Sequence, residues 1–168
     1  MTLRLILARH GKSGWDDPTL DDFDRTLTPR GQRAARAVGR WLASEGYLPG
    51  SVVVSGARRT VDTWGQMAPV LPETATMHSD PALYLASSDT MLKVLKSERD
   101  PAVLLIGHNP GIADFAARIG SPAPDHPRFA DYPTLATTIV DFDADAWADI
   151  SWGSGQITDF VVPRDLED

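Results

Sequence analysis

Three short apolar runs constrain this chain more than any other feature of it. Leu3–Ala8 reads LRLILA, Ser51–Ser55 reads SVVVS and Ala102–His108 reads AVLLIGH. Runs of this length without strict alternation suit strands buried on both faces of a sheet. Each is followed by turn residues and then by a stretch with helical spacing. Thr28-Pro29 supplies an N-cap and a proline at the first helical position. Ala34, Ala35, Val38, Trp41 and Leu42 then recur on one helical face, and Gly46 is a natural stop. A second helix is expected from Arg58 to Ala68, closed by Pro69 and Pro72. A third covers Thr90–Lys96 after the cap candidates Ser87, Ser88 and Asp89, and a fourth opens within NPGIADFAARIG. Strands that alternate with helices imply an α/β fold: three layers, α/β/α, around a largely parallel sheet.

The remaining segments fit around that frame. A weak strand is expected near residues 74–78. Shorter strands over Leu135–Phe142, Trp147–Trp152 and Gln156–Val161 are expected toward one sheet edge, with Trp147 and Trp152 exposed there. Lys12–Thr26, with five Asp, and Ser121–Pro133, with four Pro, read as loops. At 168 residues the chain is sized for one domain, expected to span 1–168.

Composition narrows the function. A net charge of −7 argues against nucleic-acid or anionic-membrane partners, which call for a basic face. The chain has no cysteine, so disulfides, thiolate nucleophiles and thiolate metal sites are excluded. No apolar run approaches the ~20 residues of a membrane helix. The first residues read directly as a strand rather than as a secretory signal. The expectation is a cytoplasmic protein.

The chemistry sits on strand ends. In open α/β sheets, ligands bind beyond the carboxyl ends of the strands. The first run ends in Arg9-His10-Gly11, the second in Ser55 before a helix that opens with Arg58-Arg59, and the third in Gly107-His108-Asn109. Parallel neighbours would gather two imidazoles and at least two guanidinium groups on one rim. That is a basic pocket on an acidic protein, and it suits a phosphoryl group. Arginine forks bind phosphate oxygens and stay charged. Helix starts add N–H donors. One neutral His can attack phosphorus in line, while the other steadies charge on the equatorial oxygens. Gly11 keeps the backbone turn beside the phosphoryl group free of a side chain. His78 and His126 lack a partner motif and read as surface loop residues. No acidic cluster stands at either strand end, so no metal site is expected, and no cofactor is called for.

These residues resemble the histidine phosphatase superfamily, with its phosphoglycerate-mutase-like fold. ARHGKSGWDD is similar to the N-terminal Arg-His-Gly signature, SGARRTVDT to the second signature, and LLIGHNPG to the segment that carries the second His. Within the superfamily, FDRTLTPRGQRAA, LYLAS and GSGQITDFVVPRDL look most like SixA-type phosphohistidine phosphatases. The resemblance implies that His10 is the nucleophile that becomes phosphorylated, with Arg9, Arg59 and His108 holding the phosphoryl oxygens. Its register selects Arg59 over Arg58 and makes Thr63 the helix threonine. Gly11, Lys12, Asp16 and Asn109 are expected to flank the substrate. Asp16 falls where mutase relatives carry Asn, and its carboxylate is expected to orient a cation or to act as an acid. Lys12 and Arg25 read as solvated loop residues that could extend the basic rim.

One departure bears on substrate. Larger relatives place a Glu general acid between the second and third strands, and SixA-type chains often have Glu after Leu-Tyr. Here that position is Leu85, and Asp80 and Tyr84 are the nearest substitutes. An alkoxide leaving group needs a proton; the imidazole of phosphohistidine departs more readily near neutral pH. The long insertions of larger relatives are also missing, which implies a shallow, open cleft. Both features favour a phosphorylated protein of the histidine phosphotransfer domain type. A small phosphate ester hydrolysed by the same residues, and a non-catalytic phosphoryl-binding relative, are the alternatives.

Overall fold

A computed structural model describes residues 2–167. Its elements follow the order β1 (Thr2–Arg9), α1 (Pro29–Glu45), β2 (Ser51–Val54), α2 (Arg58–Met67), β3 (Thr76–Ser79), α3 (Ser88–Leu95), β4 (Ala102–Gly107), α4 (Gly111–Ile119), β5 (Gly120–Ser121), β6 (Thr137–Asp143) and β7 (Gly155–Val161). They form one seven-stranded sheet in the order β3-β2-β4-β1-β6-β7-β5. The pairs β3/β2, β2/β4 and β4/β1 are parallel, while β6 runs antiparallel to both β1 and β7.

Alternate residues of each central strand face opposite layers, as strand geometry requires. Leu5, Leu7, Val53, Val103 and Leu105 pack with Met91, Leu95, Ile112 and Phe115 of α3 and α4. Ile6, Ala8, Val52, Val54, Leu104 and Ile106 pack with Val38, Leu42, Trp64 and Met67 of α1 and α2. Two cores sandwich the sheet, which is why these strands read as continuous apolar runs.

Local signals set the element ends. Thr28 Oγ1 accepts from Gly31 N at 3.0 Å, and Gly46 closes α1 at φ 76°. Ser87 caps α3. Gly31 also allows α1 to lie directly on the segment that follows β1. A Cβ there would stand 2.3 Å from the Lys12 carbonyl oxygen, well inside contact distance.

The expected strand at Trp147–Trp152 does not form. Trp147–Asp149 is a 3-10 turn, and Trp147 is buried rather than exposed, its Nε1 donating to Asp100 O at 2.6 Å. Trp147 and Ile150 stand three residues apart, the repeat of a 3-10 turn rather than of a strand. His78 lies on edge strand β3, not in a loop, and meets Glu98 at 3.1 Å; His126 meets Asp165 at 2.9 Å.

The register positions the site. Arg9 pairs with Gly107 across β1/β4, and Val54 with Ile106 across β2/β4. The residues that follow, His10, His108 and Ser55, therefore emerge side by side at the carboxyl edge of the sheet.

Candidate active site

His10, His108, Arg9 and Arg59 meet there in a pocket of about 540 Å³. The two imidazole centroids are 5.3 Å apart. His10 is 7% exposed, His108 2% and Arg59 2%.

The hydrogen bonds fix where the protons sit. His10 Nδ1 lies 2.7 Å from the Gly11 carbonyl oxygen, which can only accept. Nδ1 therefore carries the hydrogen, and Nε2 keeps its lone pair. Gly11 is held in turn by Thr63, whose Oγ1 accepts from Gly11 N at 2.9 Å and donates to Arg59 O at 2.7 Å. The contacts of His108 run the other way. Arg59 can only donate, so His108 Nδ1 accepts from its Nη2 at 3.3 Å. His108 Nε2 then donates to Ser55 Oγ at 2.7 Å, Ser55 to Thr60 Oγ1 at 3.2 Å, and Thr60 to Ala57 O at 2.8 Å.

Both rings are neutral at physiological pH. Burial pulls His10 down to about 3, the Gly11 contact opposes this, and the charges of Arg59 and Arg9 add to the fall. Burial, followed by the Arg59 charge, pulls His108 down to about 4. Desolvation penalises an imidazolium, and neighbouring guanidinium groups repel it.

The arginines are held but not satisfied. Arg59 donates to Asp22 O at 2.8 Å and to Asp22 Oδ2 at 3.1 Å; Arg9 donates to Tyr132 O at 3.1 Å. Among the described residues, the buried side-chain polar atoms left without a partner are Arg9 Nε and Arg59 Nε. A buried unpaired donor costs roughly 1–3 kcal/mol. An oxyanion in the pocket would lie beside both guanidinium groups. α2 starts beside it without a side-chain cap, while in the first turn of α4 Ala113 N donates to Asn109 Oδ1 at 3.3 Å.

Other expected residues land differently. Lys12 is exposed and lines the pocket. Gly11 acts through its backbone; an added Cβ would meet Leu27 at 3.1 Å and Gly31 O at 3.2 Å rather than the pocket. Asn109 lines the wall, but both amide hydrogens go to Asp131 O and Tyr132 O, so it braces a loop and has no donor to spare for a substrate. Asp16 is exposed and outside the lining. The Arg25 guanidinium lies over Trp15, its Cζ 3.6 Å from the ring centroid. Asp80 caps the short turn Pro81–Leu83 and is also outside the lining. Arg58 is on the surface with Asp62.

Two residues matter more than the sequence suggested. Arg25 is 9% exposed, donating to Ser13 and to Asp22 Oδ1. Asp22 gathers Arg25, Arg59 and the Tyr84 hydroxyl around one carboxylate. The Tyr84 bond, then those from Arg25 and Arg59, hold that carboxyl down to about 2. Burial and the Asp22 charge push the Tyr84 phenol up, so it remains the donor. Asp22 is one of five Asp in the loop. Its only mark in the sequence is Arg25 three residues on.

Leu85 lines the mouth at φ 51° and is 55% exposed; Trp15, 72% exposed, stands on the same rim.

The family model for the histidine phosphatase superfamily (branch 1) matches residues 5–84. An uncharacterized chloroplastic protein of Arabidopsis thaliana is 32% identical over 127 residues, 69% of this chain; the match spans 58% of the relative's length. An uncharacterized protein of Mycobacterium tuberculosis is 28% identical over 163 residues, 93% of this chain and 99% of its own. A SixA structure from Agrobacterium tumefaciens superimposes with a TM-score of 0.79 at 26% identity, covering 96% of this chain and 98% of that one.

Proposed function

The chain belongs to the histidine phosphatase superfamily, and from that premise we propose that it removes the phosphoryl group from phosphohistidine on a protein, through a phosphoenzyme at His10. The observation that carries the reading is the state of Asp22, the acidic residue that lines the pocket. Its carboxyl titrates at about 2, so it has no proton to give a leaving group near neutral pH. Leu85 occupies the position that could have supplied another acid. A substrate that needs no protein-borne acid fits such a site.

Phosphohistidine is that substrate. With its second ring nitrogen protonated, cleavage of the P–N bond releases neutral imidazole, and no further proton has to arrive. The His10 Nε2 lone pair attacks phosphorus as that bond breaks. Arg9 and Arg59, which both line the pocket, offset the charge on the equatorial oxygens. His108 stays neutral, its Nδ1 accepting from Arg59 Nη2 and so fixing that guanidinium beside the transferring group. Water then attacks the phosphoryl group on His10, the P–Nε2 bond breaks with its electron pair returning to Nε2, and inorganic phosphate leaves as the monoanion carrying both of the water's protons. The open mouth and its Trp15 and Leu85 rim suit a protein-borne residue better than an enclosed metabolite.

The test is a comparison of substrates. The protein should hydrolyse a phosphohistidine peptide well and an alkyl phosphate ester poorly, and should trap acid-labile, base-stable phosphate that His10→Ala lacks. Undiminished turnover in His10→Ala, or a preference for the alkyl ester, would overturn the reading. Binding without release of inorganic phosphate would do the same.

A further inference from the structure

A second concavity of about 640 Å³ opens beside the catalytic pocket and shares Lys12 and Thr134 with it. Its rims carry Lys12, Arg30, Arg33, Arg40, Arg128 and Arg164, against a single carboxylate in the lining, Glu167. Those are six of the chain's 16 cations, gathered in one trough on a protein of net charge −7. All six are exposed. Arg128 pairs with Asp131 at 3.0 Å; Arg30, Arg33, Arg40 and Arg164 pair with no carboxylate among the described residues. The floor is apolar, built by Ala34 and Ala37 of α1 with Val162 and Leu166 opposite. Arg30, Ala34, Ala37 and Arg40 follow one face of α1, so the cationic edge runs about 15 Å along the helix axis.

We infer that this trough binds an acidic segment of the phosphoprotein next to the phosphorylated side chain. The inference rests on the reading of the catalytic site given above and names what its substrate carries. Length argues for a polypeptide. A compact anion needs donors that converge, as they do around His10, whereas these cations are strung along a line. An extended chain covers about 15 Å in roughly five residues. The alanine floor lets a backbone lie close while acidic side chains reach the rims. Solvated, unpaired arginines of this kind steer and orient an oppositely charged partner rather than grip one group. The shared Lys12 and Thr134 connect the trough to the catalytic mouth, so one bound segment can place its phosphohistidine over His10.

The experiment uses two phosphohistidine peptides of equal length, one with the residues flanking the phosphohistidine as Glu and one with them as Gln. Wild-type protein should show kcat/KM about tenfold higher on the Glu peptide at low salt. Arg33→Glu/Arg40→Glu should abolish the Glu-over-Gln rate ratio, and Arg33→Gln/Arg40→Gln should remove most of it. Equal rates on both peptides, or a preference that survives both double variants, overturns the inference while leaving the catalytic assignment standing. If neither peptide is hydrolysed, the catalytic reading fails instead. Binding of the unphosphorylated Glu peptide, measured calorimetrically, then decides the trough alone: loss of that binding in the double variants supports it, and no binding overturns it. A single-stranded RNA that displaces the Glu peptide and binds more tightly also overturns the assignment to a protein partner.

Discussion

Arg59 and Arg33 carry the same guanidinium in opposite circumstances. Arg59 is 2% exposed, held by the carbonyl and carboxylate of Asp22 and by His108, with its Nε left without a partner. Arg33, in the neighbouring trough, is exposed and pairs with no carboxylate among the described residues. In the pocket the protein has already met the costs of desolvating and orienting the cation. A bound phosphoryl group then gains the full interaction in a poorly screened environment. In the trough the cations remain hydrated and mobile. Each contributes little to any one contact, and together they set a field. The residue type does not determine the role; burial and fixed partners do.

That contrast can be broken in several ways. The largest effect expected is that of Arg59→Ala, which should lower kcat/KM on phosphohistidine peptide by roughly 10²–10³-fold. Arg33→Ala should change the rate on a neutral-flanked peptide by less than about twofold. Steady-state rates of similar size in the two variants would erase the distinction drawn here.

Next in size is the pH dependence of stability. His10 and His108 titrate at about 3 and about 4 in the folded state, below their value of 6.5 when unfolded. Between those limits the unfolded chain binds more protons, so stability rises with pH and falls as pH drops below 6.5. The slope is on the order of 1.4 kcal/mol per pH unit for each histidine. Urea midpoints at pH 7 and pH 5 should show the loss, and His10→Gln should flatten it. The trough arginines stay charged throughout this window, so Arg33→Gln should leave the slope unchanged.

Salt sharpens the comparison from the other side. Raising ionic strength from 0.01 to about 0.15 M shortens the Debye length from roughly 30 to 8 Å. The acidic-flank preference should then shrink severalfold, while the rate on the neutral-flanked peptide moves little. The smallest effect is expected for Tyr84→Phe. This variant removes one hydrogen bond to the Asp22 carboxylate and loosens Arg59 indirectly. A loss of about two- to tenfold in kcat/KM, with the melting temperature nearly unchanged, fits a bond of ~0.5–1.5 kcal/mol. A wild-type rate in this variant would mean that Asp22 holds Arg59 without help.

Much of the frame was legible in the sequence because it is written in short-range patterns. Continuous apolar runs marked β1, β2 and β4. Thr28, Pro29 and Gly46 marked the ends of α1, the strand ends pointed to His10 and His108, and the family resemblance chose Arg59 over Arg58. Where the pattern was ambiguous the reading failed. Trp147 and Ile150 looked like a strand, yet three-residue spacing and the Asp100 carbonyl draw Trp147 into a buried turn. Arg25 looked like a solvated loop residue because nothing local announces that Asp22, Ser13 and Trp15 enclose it. Asn109 and Asp16 had suitable side chains, but one is committed to the 131–132 backbone and the other is exposed outside the pocket lining.

By itself, then, the sequence determined which residues end buried strands and which segments must be helices, since propensity, capping and apolar period depend on neighbours a few positions apart. Only the tertiary structure decided which nitrogen of each imidazole carries its hydrogen, that Asp22 holds Arg59, and that six scattered cations line one trough. Those outcomes depend on desolvation and on hydrogen bonds between residues tens of positions apart, such as Ser55 with His108 and Asp22 with Tyr84. No local pattern encodes such contacts before the sheet has brought the strand ends together.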